Sequence, residues 1–271
     1  MTRFLVGHER SQSTLFPAIG VAYLTVGGWD VPKPGLPAAP DQAKKWKIRH
    51  MSLARKVRSI IKDISLKTGV YNHMFYVYPY MFTPNQLVFL TEYVKSVDCV
   101  PGCFVEAGCA YGATTVFLNK FMIEEGIERD YYAIDTFSGF VDEHAEHEIK
   151  NRGKPLSLMR NFTDNKKAWF DRSMIQHGIK NVKSIESDVT KVDFSAIAPI
   201  AFCLLDVDLY RPIKDVLPKI YGAMSPGGII VVDDCKAAEL WDGALQAYEE
   251  FVQQMGLPRE IAAEKLGTVR A

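Results

Sequence analysis

The chain has 271 residues, 48% of them hydrophobic, which suits one large α/β domain with embellishments. Lys plus Arg and Asp plus Glu both number 32, so the formal net charge is zero; this excludes a whole-surface nucleic-acid binder and leaves room only for a local patch. The five cysteines form no Cys-x-x-Cys pair and several sit in apolar runs, as expected for reduced, buried thiols in a cytoplasmic protein.

At the N-terminus, His8, Glu9 and Arg10 interrupt any signal-peptide layout. The apolar run from Leu15 to Val26 contains Pro17 and is too short to span a bilayer. It leads through Gly27-Gly28-Trp29 into a linker with Pro32, Pro34, Pro37 and Pro40. Residues 1–40 therefore read as an arm that packs on the domain or on a neighbouring subunit, which makes a homo-oligomer the expectation.

Residues 41–68 read as one amphipathic helix with Ala54, Val57, Ile60, Ile61 and Ile64 on one face. The segment carries nine Lys or Arg and two acids, a charge pattern that suits either an anionic surface or a solvated face of a packed helix. The aromatic stretch Tyr71 to Phe82 is either core or a wall beside a pocket. Thr83-Pro84-Asn85-Gln86 then starts a helix, with Thr83 as N-cap and Pro84 in the first turn. These segments form an N-terminal region over 1–82, followed by a second domain over 83–271.

From Gly102 onward, strands alternate with helices, the pattern of a parallel, doubly wound sheet. Strands are expected at Cys103–Ala107, Tyr131–Asp135, Val182–Glu186, Ala201–Asp206 and Ile229–Val232. Helices are expected at about Ala113–Glu125, Lys166–His177, Tyr210–Met224 and Ala237–Met255. Pro226-Gly227-Gly228 reads as a turn, and Glu260–Ala271 as a terminal hairpin. The long polar interval Ser138–Lys180 reads as a lid or substrate loop. Its His144 and His147 are candidate bases, although histidines on a loop are usually solvated.

The chemistry gathers at strand ends. After the first strand, Glu106 precedes a turn in which Gly108 suits positive φ and Gly112 would let the backbone approach a ligand. A helix N-terminus follows and offers free N–H groups. Asp135 ends the second strand, where a ribose diol can be held. Asp206 and Asp208 lie two apart past the fourth strand, and Asp233 and Asp234 end the fifth. If those strands are neighbours, the pairs lie roughly 5 Å apart, and oxygen-only ligands suit Mg²⁺ or another hard cation. The alternative is that Asp208 or Asp234 caps the following helix. A nicotinamide-dependent oxidoreductase is a rival on a similar sheet, but Ala110 and Ala113 replace two glycines of its fingerprint. A donor-binding fold that serves as a non-catalytic partner protein is a second rival.

Taken in order, these motifs resemble a known family. They are Glu-x-Gly-x-x-x-Gly at 106–112, Asp-Thr-Phe-Ser-Gly-Phe at 135–140, Leu-Asp-Val-Asp-Leu-Tyr at 205–210 and Ser-Pro-Gly-Gly-x-x-x-x-Asp-Asp at 225–234. The set is similar to the class I S-adenosylmethionine-dependent O-methyltransferases, and within them to the macrocin (TylF-like) sugar O-methyltransferases. The resemblance covers residues 83–271. It implies a Rossmann-like, seven-stranded methyltransferase sheet with a helical N-terminal arm and a lid insertion.

It also implies roles. Glu106, Ala107, Gly108, Tyr111, Gly112 and Thr114 would shape the pocket for the methionine part of the donor. Asp135, with Thr136, Phe137 and Ser138, would hold the ribose. Asp188 and Val189 would face the adenine. Asp206 would border the donor and, with Asp233 and Asp234, bind Mg²⁺. Asp208 would be the general base. The acceptor would be a hydroxyl of a small molecule, a sugar of a glycosylated natural product. Cys235 stands where an aromatic or another residue is expected.

Overall fold

The computed structural model describes residues 78–271, together with positions 57, 60, 61, 64, 67 and 68. The expected arm, the Pro-rich linker and most of the aromatic stretch lie outside the described residues, and so does the contact through which the arm was expected to join subunits. Val57, Ile60, Ile61, Ile64 and Lys67 are helical, as the periodicity of that segment predicts. Contacts separate Met1–Val77 from a unit spanning Tyr78–Ala271. The latter carries the fold described next.

The first helix, α1 (Pro84–Ser96), is set by a capping box. The Gln86 amide N–H donates to Thr83 Oγ1 at 3.3 Å, and the Thr83 amide donates back to Gln86 Oε1 at 2.8 Å. Strands β1 (Cys103–Ala107), β2 (Tyr131–Asp135), β3 (Val182–Glu186), β4 (Ile200–Leu205), β5 (Met224–Val232), β6 (Glu260–Ala262) and β7 (Leu266–Arg270) form one sheet. Its order is β3-β2-β1-β4-β5-β7-β6. The first five strands run parallel; β7 pairs antiparallel with β5, and β6 antiparallel with β7. This is the α/β sheet that the motif order implied.

Period-two alternation builds a core on each face. Val105, Cys203, Leu205, Ile230 and Val232 pack against α5 (Tyr210–Ala223) and α6 (Gly243–Met255). Phe104, Phe202, Leu204, Ile229 and Val231 pack against α1 and α2 (Ala113–Glu125). Helix α4 (Lys167–Gln176) adds Phe170 and Met174 beside Ala133 and Phe137.

Two expectations are corrected. Pro226-Gly227-Gly228 is strand rather than turn, because the Gly227 amide donates to Ala271 O at 2.8 Å and the Ala271 amide to Gly228 O at 3.0 Å. The register shift between Ile200 and Phe202 takes up the extra residues as a bulge. The last helix starts at Gly243 rather than Ala237. A side chain at 243 would meet Tyr210 N at 2.8 Å, so a glycine lets α6 begin against the first turn of α5.

The polar interval 138–180 holds the expected helix near Lys166–His177 and a further one before it. It contains α3 (Asp142–Arg152), a short 3₁₀ turn at Leu158–Arg160, and α4. Helix α3 is bolted down. Glu148, 2% exposed, accepts from the Tyr210 amide at 2.9 Å and pairs with Arg152 Nε at 3.0 Å. Arg152 and Lys154 both reach Asp242 Oδ1, at 2.9 and 2.8 Å. A helix held by this many partly buried charges forms a wall over the strand ends. Among the described residues, no helix is long and apolar enough to cross a membrane.

Candidate active site

A cleft opens over the carboxyl ends of the parallel strands, the usual place for ligands on an open α/β sheet. Gly108 follows β1, Asp135 and Thr136 follow β2, Asp188 and Val189 follow β3, Asp206 and Asp208 follow β4, and Asp233 and Asp234 follow β5; all of them line it. Phe140, Val141, His144, Phe162, Trp241, Met81 and Lys265 complete the wall. Phe140 packs on Trp241 with ring centroids 5.3 Å apart, and edge-on against Phe162 at 5.7 Å.

The glycine turn needs Gly108. Its φ is +87°, and a Cβ there would lie 1.7 Å from Asp206 O. Gly112 also has positive φ, but a Cβ there would meet Phe170 at 2.8 Å and the Met174 methyl at 2.9 Å. What approaches the Gly112 backbone is α4, and Gly112 is not among the residues lining the cleft. Glu106 is likewise off the cleft, 1% exposed, and accepts from the Tyr131 hydroxyl at 2.6 Å. Burial, followed by hydrogen bonds to Tyr131 and Thr115 that pull the other way and the charge of Asp135, leaves its carboxyl raised to about 7.

The other residues expected around the donor fall into two groups. Asp135 accepts from the Ala110 amide at 2.8 Å and the Phe137 amide at 2.7 Å, so it ties the two turns together while lining the cleft. Asp188 Oδ1 accepts from the amide and hydroxyl of Thr190, at 2.9 and 2.8 Å. Burial works against the Asp188 charge, but those bonds, His144 and Lys191 hold its carboxyl below the ordinary range. Ala107, Tyr111, Thr114, Phe137 and Ser138 stand outside the cleft lining. Phe137 is core, 5.4 Å from the Phe170 ring, and the Tyr111 hydroxyl donates to Asp164 O at 2.9 Å.

Strands β4 and β5 are neighbours, with Leu205 opposite Val232, so the two aspartate pairs meet. Asp206, Asp208 and Asp234 each bring a carboxylate oxygen to within 4.8 Å of the others. Asp233, expected beside Asp206 and Asp234, is not one of these three. Lys265 Nζ lies 2.8 Å from both Asp233 Oδ2 and Asp234 Oδ1. Nor is it strand alternation that points Asp206 and Asp208 together. Asp208 has φ +59° and Asp234 φ +57°, left-handed conformations that a non-glycine residue holds only under constraint.

The capping alternative fails for both residues. The first amide of α5 is taken by Glu148, and α6 starts at Gly243, well beyond Asp234. The acids therefore face one another. Burial first, then the charges of Asp233, Asp208 and Asp234, pushes Asp206 well above the usual carboxylate range. Burial, then the charge of Asp234 and a hydrogen bond with it, does the same to Asp208. Burial and Asp234 raise Asp233 to about 6 against the pull of Lys265. Asp233 Oδ1 is buried without a partner. Clustered carboxylates with one ammonium, Lys265, beside them among the described residues suit a hard divalent cation, so the residues present fit such an ion.

Sequence reasoning missed Lys265. It comes from the β6–β7 turn, more than thirty residues from its partners, and no local motif marks it. Its backbone oxygen accepts from the Cys235 amide at 2.7 Å, which ties the turn to the acid pair. Cys235, placed where an aromatic was expected, is 1% exposed, and its sulfur would lie 2.6 Å from a Cβ at Gly267. A larger side chain would push β7 away.

Sheet order and the cleft at the strand ends define a methyltransferase-like α/β fold. The macrocin-O-methyltransferase (TylF) family profile matches residues 81–266, and the chain belongs to that family. A relative from Streptomyces olivaceus, 8-demethyl-8-(2,3-dimethoxy-alpha-L-rhamnosyl)-tetracenomycin-C 4'-O-methyltransferase, is 24% identical over 143 residues, or 51% of this chain. The match spans about half of that relative's length, 54%. The fold is also that of CalS11, a calicheamicin methyltransferase, with TM-score 0.59 and 19% identity over 82% of this chain and 94% of the other. The O-methyltransferase NovP superposes with TM-score 0.58 and 18% identity, covering 70% and 81%.

Proposed function

We propose that the protein transfers the methyl group of S-adenosylmethionine to a hydroxyl of a small molecule, a sugar of a glycosylated natural product, with help from a divalent cation such as Mg²⁺. The observation that carries this reading is the meeting of Asp206, Asp208 and Asp234 within 4.8 Å at the rim of a cleft that also presents Gly108, Asp135 and Asp188. Family membership supports the methyl-transfer class. The name of the Streptomyces relative, a methyltransferase of a rhamnosyl group, supports a sugar hydroxyl.

S-adenosylmethionine would supply an already activated methyl group. The chain's task is alignment, which can contribute roughly 7–11 kcal/mol. Gly108 would border the donor beside β1, Asp135 would hold the ribose hydroxyls, and Asp188 and Val189 would border the base. The cation would supply a Lewis acid that lowers the pKa of an adjacent hydroxyl. Asp206 and Asp234 would hold it, while Asp208 would accept the acceptor's proton. Burial and the charge of Asp234 raise the Asp208 carboxyl above the ordinary range, which makes it a stronger base when it is ionised. The aromatic wall of Phe140, Phe162 and Trp241 offers apolar faces for ring CH groups and helps exclude water.

The test is tritiated-methyl transfer to glycosylated acceptors, with and without chelator, in wild type and Asp234→Asn, alongside calorimetry with S-adenosylhomocysteine. The expected result is donor binding in both proteins and transfer only in the metal-replete wild type. Full transfer in chelator overturns the role of the cation. Binding of NAD instead of S-adenosylhomocysteine overturns the whole reading.

A further inference from the structure

His144 stands on α3 and lines the cleft, yet it is only 8% exposed and neither ring nitrogen has a hydrogen-bond partner. Two buried ring nitrogens without a hydrogen bond carry a desolvation penalty that native structures normally remove with a hydrogen-bonding partner. Asp188 Oδ1 lies 3.7 Å from His144 Nε2, within ion-pair range but beyond hydrogen-bond reach. That oxygen already accepts twice from Thr190. Helix α3 cannot readily withdraw the ring, because Glu148, one turn on, is locked to Tyr210 and Arg152.

Sheet order says which part of a ligand meets this ring. Gly108 follows β1, Asp135 follows β2 and Asp188 follows β3, while the acid cluster follows β4 and β5. A nucleoside whose reacting end faces the cluster and whose diol meets Asp135 places its base at the β3 end, beside Asp188 and His144. An imidazole N–H can donate to a purine ring nitrogen, and Asp188, which offers only acceptors, can take an exocyclic amine. An adenine edge answers both: its exocyclic amine donates and its ring nitrogen accepts. A hypoxanthine edge reverses that order, with a carbonyl in place of the amine and a protonated ring nitrogen.

We infer that His144 is a specificity-determining residue that hydrogen-bonds the purine edge of the donor and selects adenine over a 6-oxo base. This rests on the proposed donor chemistry and goes beyond it, assigning a residue of the inserted segment to the base. It also takes His144 out of the candidate bases for the acceptor.

The test is calorimetric titration of wild type and His144→Phe, which keeps the ring volume, with S-adenosylhomocysteine and with S-inosylhomocysteine. Wild type is expected to bind the adenosyl compound at least tenfold more tightly than the inosyl compound. His144→Phe is expected to lose about tenfold for the adenosyl compound, and the ratio between ligands to fall towards one. If circular dichroism shows the Phe variant unfolded, His144→Leu carries the same comparison. Unchanged affinity and an unchanged ratio in the folded variant overturn the inference while leaving the donor reading intact. Failure of wild type to bind either compound overturns the donor reading, and the inference with it.

Discussion

Lys265 Nζ sits 2.8 Å from Asp233 Oδ2, with only 18% of the lysine side chain and 3% of the aspartate side chain exposed, and it reaches Asp234 at the same distance. One ammonium thus offsets part of the charge of a cluster of four acids. Burial opposes its charge, but the two aspartates raise its pKa overall. Lys265→Met leaves those acids without their cation and should destabilise the protein by about 3–5 kcal/mol, the usual result of removing one partner of a buried pair. Millimolar Mg²⁺ should restore more of the melting temperature in this variant than in wild type. Thermal melts with and without Mg²⁺ read both effects. An unchanged midpoint would show that the contact carries no stability.

Glu106 gives the stability a pH dependence of known sign. Its pKa is raised to about 7 in the folded chain, from an ordinary value of 4.5. The folded state therefore keeps a proton that the unfolded state releases. Its contribution is fully present below pH 4.5 and is lost as pH rises through 7. The difference corresponds to about 3 kcal/mol. Glu106→Gln, which stays neutral, should remove that part of the slope. Urea unfolding of both proteins between pH 4.5 and 7.5 measures it; parallel curves would contradict the assignment.

The two glycines of the first turn should respond differently. Gly108→Ala drives a methyl into Asp206 O and should cost more than about 4 kcal/mol or abolish folding. Gly112→Ala meets only the movable side chains of Phe170 and Met174 and adds backbone strain of about 1–3 kcal/mol. Its affinity for S-adenosylhomocysteine should stay within twofold of wild type. Loss of donor binding in a folded Gly112→Ala protein would return Gly112 to the ligand surface.

Glu148 joins α3 to the helix that follows Asp208. Glu148→Gln keeps an acceptor for the Tyr210 amide and loses the charge partner of Arg152; Glu148→Ala loses both. The expected order of stability is wild type, then Gln, then Ala. The Ala variant should also lose turnover more than donor affinity, because the Asp208 loop is released. Equal stability of the two variants would show that the α5 amide needs no cap.

Much of the sheet could be read from local pattern. Strands such as Cys103–Ala107 and Tyr131–Asp135 are short apolar runs ended by acids and turns, and the structure places them there. The neighbouring positions of Asp206 and Asp233 followed from strands being adjacent. What escaped was non-local. The strand character of Pro226-Gly227-Gly228 depends on pairing with the chain end, and α3 holds through Glu148 and Arg152 bonds to Tyr210 and Asp242, a polar helix with little apolar face. The meeting of Asp208 with Asp206 and Asp234 involves left-handed turns at Asp208 and Asp234, and the lysine beside Asp233 and Asp234 comes from a distant hairpin. None of these leaves a mark within a ten-residue window.

The most direct measurement is anomalous diffraction from crystals soaked with S-adenosylhomocysteine and Mn²⁺. The expected map shows one anomalous peak about 2.1 Å from carboxylate oxygens of Asp206 and Asp234, with the homocysteine sulfur in the adjoining cleft and the ribose at Asp135. A map with the nucleoside bound elsewhere, or with no metal among these acids while the cleft is occupied by ligand, would contradict cation-assisted methyl transfer at this site.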